Sequence, residues 1–199
     1  MAGIFTIRDG EPQDGELIAR NVLAAVGYDM FGEPEERAQW MLPKMAEVCR
    51  REDTLYSYTR TRVACVDGAP VGSLTAYPGD GYLELRKFTW GLFGNEVANP
   101  DSVADIECRP GEFYLDSMAL LPEFRGGTYE YYGTTDRIGH LLMLDGIKKG
   151  RDLGFKKISL IVEQDRPRLR SYYSALGFRT DGELTFFGDP YYRMVLITG

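Results

Sequence analysis

The sequence of 199 residues predicts a mixed α/β (α+β) fold in which seven strands and four main helices form one domain over residues 1–199. Three observations predict this class. Apolar residues alternate over several short segments, as in strands, and recur at helical spacing over longer ones. Turn residues separate two pairs of strand-like segments, as in antiparallel hairpins. The chain is also long enough for one domain to bury a core without disulfide or metal staples.

The elements follow one another as strand, two helices, three strands, helix, strand, helix and two strands. Their predicted positions are a strand at 5–7, helices at 15–26 and 33–53, strands at 57–66 and 71–77, a short additional helix at 85–93, a strand at 113–121, a helix at 138–153, a strand at 156–162, a helix at 167–176, and strands at 182–187 and 191–197.

Capping and breaking residues justify the helices. Asp14 can cap the first helix, Pro34 falls in the first turn of the second, and Pro167 starts the last. Pro43 should kink the second helix, because its ring cannot fit a regular helix interior. Three helices are each followed by a glycine, a common helix stop: Gly27, Gly154 and Gly177.

Turn residues justify the strands. Asp67-Gly68-Ala69-Pro70 joins the second and third strands, and Gly188-Asp189-Pro190 joins the last two, so each pair should form an antiparallel hairpin. Pro122 ends the central strand. Residues 80–110 fit neither period well apart from the short helix, and we interpret them as an insertion. A connection of that length is often a functional lid or partner surface, although a passive surface insertion is the alternative.

Composition excludes several classes of protein. The sequence is 44% hydrophobic and 27% charged, as in ordinary soluble globular proteins. No apolar run approaches the roughly 18 residues that a membrane-spanning helix needs. The N-terminus lacks the basic and apolar regions of a secretory signal. We therefore expect a cytoplasmic protein that does not bind a membrane.

Charge and cysteine content narrow the possible ligands. The net charge of -7 argues against nucleic acid, whose phosphates require a basic surface, but it permits a cationic substrate. Basic residues recur from Arg125 onward, so this half could meet a small anionic ligand. Cys49, Cys65 and Cys108 are isolated in sequence, so we expect buried, reduced thiols, with neither a disulfide framework nor a metal site.

The segment that begins at Leu115 suits anion binding. It reads LDSMALLPEFRGGTYEYYGTTDRIGHLLM, which is a strand, a basic glycine-rich loop and a helix. Backbone N–H groups of such a loop and of a helix N-terminus can converge on phosphate oxygens. A strand-to-helix turn with glycines is a weak signal alone.

Four stretches together resemble the GNAT superfamily of acyl-CoA-dependent N-acetyltransferases: LDSMALLPEFRGG, IGHLLM, RDLGFKKISLIV and EQDRPRLRSYYSALGF. The resemblance covers roughly residues 113–179. It implies a mixed, mostly antiparallel central sheet of about seven strands flanked by about four helices. It also implies acetyl-CoA as cosubstrate, with no metal, and a loop that cradles the CoA pyrophosphate. By this resemblance the candidate CoA-binding residues are Met118, Ala119, Leu120, Arg125, Gly126, Gly127, Ile138, Gly139, His140 and Arg166.

Two departures from the family pattern stand out. The loop's Arg and final Gly lie five positions apart in the family, whereas Arg125 and Gly139 lie fourteen apart. We interpret residues 126–136 as an expanded loop that contains an insertion of about nine residues. The Asn common at the start of the last helix is replaced by Arg166, which could pair with a CoA phosphate but cannot copy the Asn hydrogen bonds.

The resemblance implies direct transfer of the acetyl group to an amine in a ternary complex. A base must make the amine nucleophilic, and an acid must meet the departing thiolate. Tyr173 is the candidate acid, and backbone N–H groups around Met118 to Leu120 would polarise the thioester carbonyl. Asp116 is the first candidate base and Glu84 the second. Each also has a structural alternative: Tyr173 could be a packed core tyrosine, Asp116 a carboxylate that bonds to loop amides, and Glu84 a solvated surface residue.

His140, the only histidine, could also act as a base, because its ordinary pKa is about 6.5. A surface or helix-capping role next to the loop glycine is the alternative.

Aromatic residues are dense in both insertions, and four uses are open for them: an acceptor cleft, closure over CoA, a homodimer interface, or packing on the domain's own surface. They are Phe88, Trp90, Phe93, Tyr129, Tyr131 and Tyr132.

The expected function is an N-acetyltransferase with an amine-bearing small molecule or peptide as acceptor. A non-catalytic acyl-CoA-binding module on the same scaffold is the alternative. A third possibility is a protein-binding module whose expanded loop excludes CoA.

Overall fold

The computed structural model describes residues 3–31, 36–94 and 106–199. Its helices are α1 (Gly15–Ala25), α2 (Glu36–Cys49), α3 (Tyr82–Gly91), α4 (Ile138–Asp152) and α5 (Pro167–Ala175). Its strands are β1 (Phe5–Asp9), β2 (Thr61–Val66), β3 (Ala69–Pro78), β4 (Phe113–Leu120), β5 (Thr128–Tyr131), β6 (Thr134–Arg137), β7 (Lys157–Glu163), β8 (Arg179–Phe186) and β9 (Asp189–Ile197).

Seven strands form one sheet in the order β1-β2-β3-β4-β7-β9-β8, and β5 pairs with β6 in a separate two-stranded sheet. The β1–β2, β2–β3, β7–β9 and β8–β9 pairs are antiparallel. The β4–β7 pair is parallel and joins Phe113 to Ile158 and Tyr114 to Ser159. The predicted mixed, mostly antiparallel sheet is therefore confirmed.

Three hairpins share one kind of turn. In each, a residue with positive φ precedes a glycine with positive φ: Asp67-Gly68, Tyr132-Gly133 and Phe187-Gly188. This backbone geometry matches the twist of the flanking strands. The last turn lies one position earlier than the predicted Gly188-Asp189-Pro190, because Asp189 and Pro190 already belong to β9.

The chain divides into two compact units. The first contains residues 1–76 and 117–147, and the second contains residues 77–116 and 148–199. In the first, α1 packs on α2, and apolar residues such as Ile18, Leu23 and Val63 are fully buried. In the second, the buried core includes Phe113 and Phe178. The expectation of a single domain over residues 1–199 stays a prediction.

Several element boundaries differ from those expected. A 3-10 turn at Tyr58–Arg60 precedes β2, which is therefore shorter than predicted. Helix α3 starts three residues earlier than expected, after Gly81, and the expanded loop carries the unpredicted hairpin β5–β6. Helix α2 continues through Pro43, and the kink expected at this residue stays a prediction. The expectation for Pro34, and those for residues 95–105 of the insertion, lie outside the described residues.

Two smaller findings concern composition. The three cysteines are buried and form no disulfide, as predicted. Within residues 3–31, 36–94 and 106–199, none of the helices is long and apolar enough to cross a membrane.

Candidate active site

A cluster of acids and tyrosines lies in the second unit. Asp116, on β4, accepts a hydrogen bond from the hydroxyl of Tyr77 at the end of β3. Glu107 accepts one hydrogen bond from Tyr82 Oη at 3.0 Å and one from Tyr114 Oη at 2.7 Å. The Tyr77 ring is stacked on that of Tyr82 with centroids 6.0 Å apart. Two carboxylates are therefore held among three tyrosine side chains.

Burial dominates the electrostatics of this cluster. Glu107 is only 4% exposed, and burial, followed by the negative charge of Asp116, raises its pKa to about 8. The hydroxyls of Tyr114 and Tyr82 and the charge of Arg86 act in the opposite direction. A like charge and a low dielectric both disfavour a carboxylate anion, so both favour the protonated form of Glu107.

A close approach of two backbone segments positions Glu107. Gly79 donates its N–H to Glu112 O at 2.8 Å. A Cβ added at Gly79 would lie 2.7 Å from both the carbonyl carbon of Arg109 and Cys108 Sγ. Only glycine allows this approach without displacement of a neighbour. The segment that carries Glu107 is thus fixed against the end of β3.

Tyr173, the candidate acid, lies on α5 in the second unit. Pro167 stands at the start of this helix, and Gly177, with φ of 96°, follows its end. Tyr173 is 9% exposed, and its ring contacts those of Tyr172 and Phe178 with centroids 5.4 and 6.1 Å away. Burial, then the charges of nearby groups, raises the pKa of its hydroxyl well above the ordinary value.

The end of β4 lies in the first unit. Met118, Ala119 and Leu120 are half-buried there. Asn21, on α1, donates one hydrogen bond to Ala119 O at 3.1 Å and another to Ser73 Oγ at 2.6 Å. The amide and its two partners fix the strand end against α1 and β3.

Arg125 follows β4 and is exposed. Its Nε donates to Leu120 O at 3.3 Å, and its guanidinium lies 5.4 Å from the centroid of the Phe31 ring. Gly126, with φ of 90°, turns the chain, and Gly127 follows on the exposed surface. The cationic group is therefore held by its stem near the strand end, while the residue remains open to solvent.

The expanded loop is a hairpin anchored at two points. Phe5 on β1 contacts Tyr129 and Tyr131, with ring centroids 5.6 and 5.5 Å away. Tyr131 Oη donates to Asp145 Oδ1 on α4 at 3.2 Å. A groove of about 570 Å³ lies between β1 and the hairpin, lined by residues 3–7 and 130–132.

Helix α4 starts directly after this hairpin. Ile138 is fully buried, whereas Gly139 has room for a further atom, since Leu120 Cδ1 would lie 3.8 Å from an added Cβ. Asp136 accepts the N–H of Arg137 at 2.7 Å, and its other carboxylate oxygen lies 3.7 Å from His140 Nε2. The carboxylate of Asp136 thus interacts with its own backbone neighbour and with His140.

Glu84 and Arg166 occupy exposed positions. Glu84 lies in the first turn of α3. Arg166 precedes α5, and its Nε lies 4.0 Å from Glu163 and 3.6 Å from Asp165. The roles of Glu84 as a base and of Arg166 as a CoA-binding residue remain predictions.

The aromatic residues of the two insertions differ in burial. Trp90 and Phe93 are buried, and Trp90 contacts Phe187 and the Arg86 guanidinium. Phe88 is 43% exposed and Tyr132 is 92% exposed. Packing on the protein's own surface therefore accounts for Trp90 and Phe93, and the uses considered for the exposed members stay open.

Sequence reasoning missed Glu107 and the three tyrosines around the carboxylates. Glu107 lies in a segment with neither strand nor helix period. The sequence signal for its position is the pair of glycines, Gly79 and Gly81, that flank Asp80, because glycines allow two backbone segments to approach closely. Asp80 joins the two segments, since its Oδ2 accepts the N–H of Gly111 at 3.2 Å. Among the described residues, no group of three or more His, Cys, Asp or Glu side chains could hold a metal ion.

Comparison with known proteins identifies the fold and the family. The structure resembles that of an acetyltransferase with 26% identity, 98% of this chain and 100% of the other covered, and a TM-score of 0.72. An N-acetyltransferase from Staphylococcus aureus Mu50 gives 19% identity, coverage of 96% and 100%, and a TM-score of 0.73. The PaiA N-acetyltransferase from Thermoplasma acidophilum, in complex with coenzyme A, gives 16% identity, coverage of 98% and 99%, and a TM-score of 0.54.

These similarities define the fold as that of acetyltransferases. The family model described as the acetyltransferase (GNAT) family matches residues 28–178. The protein therefore belongs to the GNAT acetyltransferase family, and the predicted resemblance is confirmed. No significant match was found among curated proteins.

Proposed function

We propose that the protein is an N-acetyltransferase that transfers an acetyl group directly from acetyl-CoA to a primary amine in a ternary complex. Membership of the GNAT acetyltransferase family supports this reaction class. The observation that carries the proposal is the half-buried Asp116 carboxylate, which accepts the Tyr77 hydroxyl and precedes Met118 by two residues on β4. Asp116 is a proton acceptor, and it lies next to the end of β4 that the thioester would meet.

Asp116 would accept the proton of the amine. An alkyl amine has a pKa of about 10.4 and is mostly protonated at neutral pH, so a nearby carboxylate both attracts it and assists its deprotonation. Alternation along β4 places Asp116 and Met118 on the same face of the strand. The base and the site of acyl transfer would thus share one surface.

The backbone of β4 would stabilise negative charge on the thioester oxygen. Leu121 donates its N–H to Val71 O on β3 at 2.9 Å. Because successive N–H groups of a strand point to opposite edges, those of Leu120 and Met118 are expected at the other edge. Such donors would act as an oxyanion hole when the amine attacks.

Tyr173 would meet the departing sulfur. As the new C–N bond forms and the C–S bond breaks, negative charge develops on the CoA sulfur. The pKa of Tyr173 is raised by burial, so its hydroxyl keeps its proton throughout the neutral range. It would therefore stabilise the thiolate mainly as a hydrogen-bond donor, since complete transfer from so weak an acid is unfavourable.

Arg125, Gly126 and Gly139 would hold the CoA phosphates. The exposed guanidinium offers charge-assisted hydrogen bonds, and the two glycines leave space for the pyrophosphate. Asp136 opposes an anion there, but its carboxylate already interacts with Arg137 N–H and lies near His140. Arg125 and the two glycines therefore fit the CoA phosphates.

The acceptor class follows from charge. The net charge of -7 favours a cationic amine through long-range attraction. A small molecule and a peptide amine meet this condition equally.

Calorimetric titration of the purified full-length protein with CoA and with acetyl-CoA tests the proposal. We expect saturable binding that Arg125→Ala weakens about tenfold, because a hydrogen bond to a charged group contributes roughly 1.5 kcal/mol or more. Arg179→Ala, at an exposed arginine of β8, serves as the matched control and should bind as the wild type does. A folded protein that binds neither ligand would exclude the transferase.

A non-catalytic acyl-CoA-binding module is the second candidate. The replacement of the family's usual Asn by Arg166, whose guanidinium lies near two acids, favours it. Binding of acetyl-CoA without transfer to any of a panel of primary amines would identify this alternative.

A further inference from the structure

Asn21 is a polar residue on the buried face of α1, three positions after the fully buried Ile18. Only 1% of Asn21 is exposed. Its amide nitrogen is fully used, because Nδ2 donates to Ser73 Oγ at 2.6 Å and to Ala119 O at 3.1 Å. Its amide oxygen is not used, since Oδ1 is buried and accepts no hydrogen bond from the described residues.

A buried oxygen without a partner is unfavourable, so the donor half of the amide has to account for Asn21. A leucine would fill a similar volume without such an oxygen. The two acceptors of Nδ2 also differ. The Ser73 hydroxyl rotates and can itself donate, whereas the Ala119 carbonyl only accepts and belongs to the backbone of β4. The bond to Ala119 is therefore the one that constrains the strand.

A second observation places the Ala119 carbonyl against β3. A Cβ added at Gly72 would lie 2.8 Å from Ala119 O and would also overlap Leu120 Cδ2. Any residue other than glycine would thus displace the end of β4. Asn21 and Gly72 together fix the direction of the Ala119 carbonyl.

The direction of this carbonyl determines the direction of the next N–H. The peptide between Ala119 and Leu120 is trans, and in a planar trans peptide the C=O and N–H bonds point in opposite directions. Since Ala119 O faces Asn21 and Gly72, the N–H of Leu120 points away from α1 and β3. The registered parallel pairs of β4 lie at residues 113–114, and Leu120 lies beyond them.

We propose that Asn21 is a positioning residue for acyl transfer: by holding the Ala119 carbonyl, it aims the Leu120 N–H at the thioester oxygen of acetyl-CoA. This inference rests on the proposed function, in which N–H groups at the end of β4 stabilise that oxygen. Asn21 itself does not touch the substrate.

The contribution of Asn21 belongs to the step in which the amine attacks. As the C–N bond forms, the π electrons of the thioester carbonyl move onto its oxygen, and they return when the C–S bond breaks. A donor that is already oriented stabilises this charge without reorganisation. Its hydrogen bond strengthens only as the charge grows, so the effect should appear in kcat and not in the KM for acetyl-CoA.

Two variants of the full-length protein separate the two hydrogen bonds of Asn21. Asn21→Leu removes both, whereas Ser73→Ala removes one and leaves Nδ2 bonded to Ala119. With a primary amine as acceptor, we expect Asn21→Leu to lower kcat roughly 10- to 100-fold, because the donor is displaced but still present. The KM for acetyl-CoA should change less than about twofold, and Ser73→Ala should keep kcat within about twofold. Equal losses of kcat in the two variants, or wild-type kcat in Asn21→Leu, would overturn the inference.

Infrared spectra of bound acetyl-CoA, labelled with ¹³C at the thioester carbonyl, test the same link without turnover. In the wild type without an amine, the carbonyl stretch should lie at lower frequency than in free acetyl-CoA, because a fixed donor shielded from water polarises the bond more strongly than water does. Asn21→Leu should move the stretch back towards the free frequency, and Ser73→Ala should keep the wild-type value. A wild-type stretch that is not lowered would overturn the inference, and this measurement remains available if Asn21→Leu fails to fold.

Failure of the proposed function gives a different result. If the folded wild type binds no acetyl-CoA, the proposed function fails and the role of Asn21 fails with it. If the protein binds acetyl-CoA and lowers the carbonyl frequency but acetylates no amine, the transferase fails while the spectrum supports the positioning of the Leu120 N–H. If amines are acetylated and Asn21→Leu changes neither kcat nor the spectrum, the inference alone is overturned.

Discussion

The expanded-loop region, residues 125–140, and the acid cluster around Glu107 and Asp116 differ in their exposure to solvent and in how their charged groups are held. In the loop region, charged and glycine residues face solvent, and the shape depends on a hairpin held by Phe5 and Asp145. In the cluster, Glu107 is withdrawn from water, Asp116 is half-buried, and tyrosine hydroxyls hold both carboxylates. The first can present charge to a ligand, whereas the second can change the proton affinity of an acid.

This difference determines how each region should respond to substitution. An exposed cation such as Arg125 adds binding energy that salt screens. A buried carboxylate has a larger effect when altered, because the low dielectric amplifies the loss of a charge or a hydrogen bond. Substitutions in the cluster should therefore change rate and pH dependence, and substitutions in the loop region should change affinity.

The substitution Asp116→Asn should distinguish the two regions most clearly, because it is expected to lower the rate without changing the affinity for CoA. We expect kcat to fall about 100-fold, because removal of a general base typically costs that much or more, while the Kd for CoA stays within a factor of about two. Steady-state kinetics and calorimetry measure the two quantities. Asp152→Asn, at an exposed aspartate that pairs with Lys148 on α4, is the matched control. Equal losses of affinity and rate would contradict the division between the regions.

Gly79→Ala tests the backbone contact that brings Glu107 into the cluster. The new methyl group would lie 2.7 Å from Cys108 Sγ and from the carbonyl carbon of Arg109. We expect the free energy of unfolding to fall by about 2 kcal/mol, as for other overpacked sites. Urea unfolding provides the measurement. Gly91→Ala, with no neighbour within 4 Å of the added atom, should be neutral or stabilising; a similar loss in both variants would argue against the close approach.

The substitution Tyr173→Phe isolates the contribution of the hydroxyl to catalysis from that of the ring. The ring contacts with Tyr172 and Phe178 remain possible, so the fold should be retained. We expect kcat to fall about tenfold, equivalent to ~1.4 kcal/mol, with an unchanged KM for acetyl-CoA. Tyr172→Phe should change kcat less than about twofold. A Tyr173→Phe variant with wild-type kcat would remove this residue from the mechanism.

Much of the fold was predictable because its signals are local. The X-Gly turns at Gly68 and Gly188 and the glycine stops of the helices lie within a few residues of the features that they define. Asp116 could be proposed from strand alternation and family resemblance. Tyr173 could be proposed in the same way, because its spacing from Gly177-Phe178 is read from the sequence.

Glu107 could not be found by the same means. Its position depends on contacts between the segments around Gly79 and Arg109, thirty residues apart in sequence. The hairpin β5–β6 is a different case. Its strands, TYEY and TTDR, are four residues each and largely exposed, so their apolar pattern is weak, but the Tyr132-Gly133 turn was a usable signal.

The smallest expected effect concerns the anchor of that hairpin. Tyr131→Phe removes the hydroxyl that donates to Asp145 Oδ1 at 3.2 Å but keeps the ring beside Phe5. Because a single hydrogen bond contributes about 1 kcal/mol, we expect a decrease of that size or less in the free energy of unfolding. Urea unfolding measures it, with Tyr132→Phe at 92% exposure as the control.

The same variant also bears on CoA affinity. Strand β6 ends at Arg137 and α4 begins at Ile138, so a loosened hairpin should disturb the start of α4 slightly. We expect the Kd for CoA to rise less than about threefold, well below the effect of Arg125→Ala. An effect as large as that of Arg125→Ala would mean that the hairpin itself binds the ligand, and would make the expanded loop part of the binding site rather than its support.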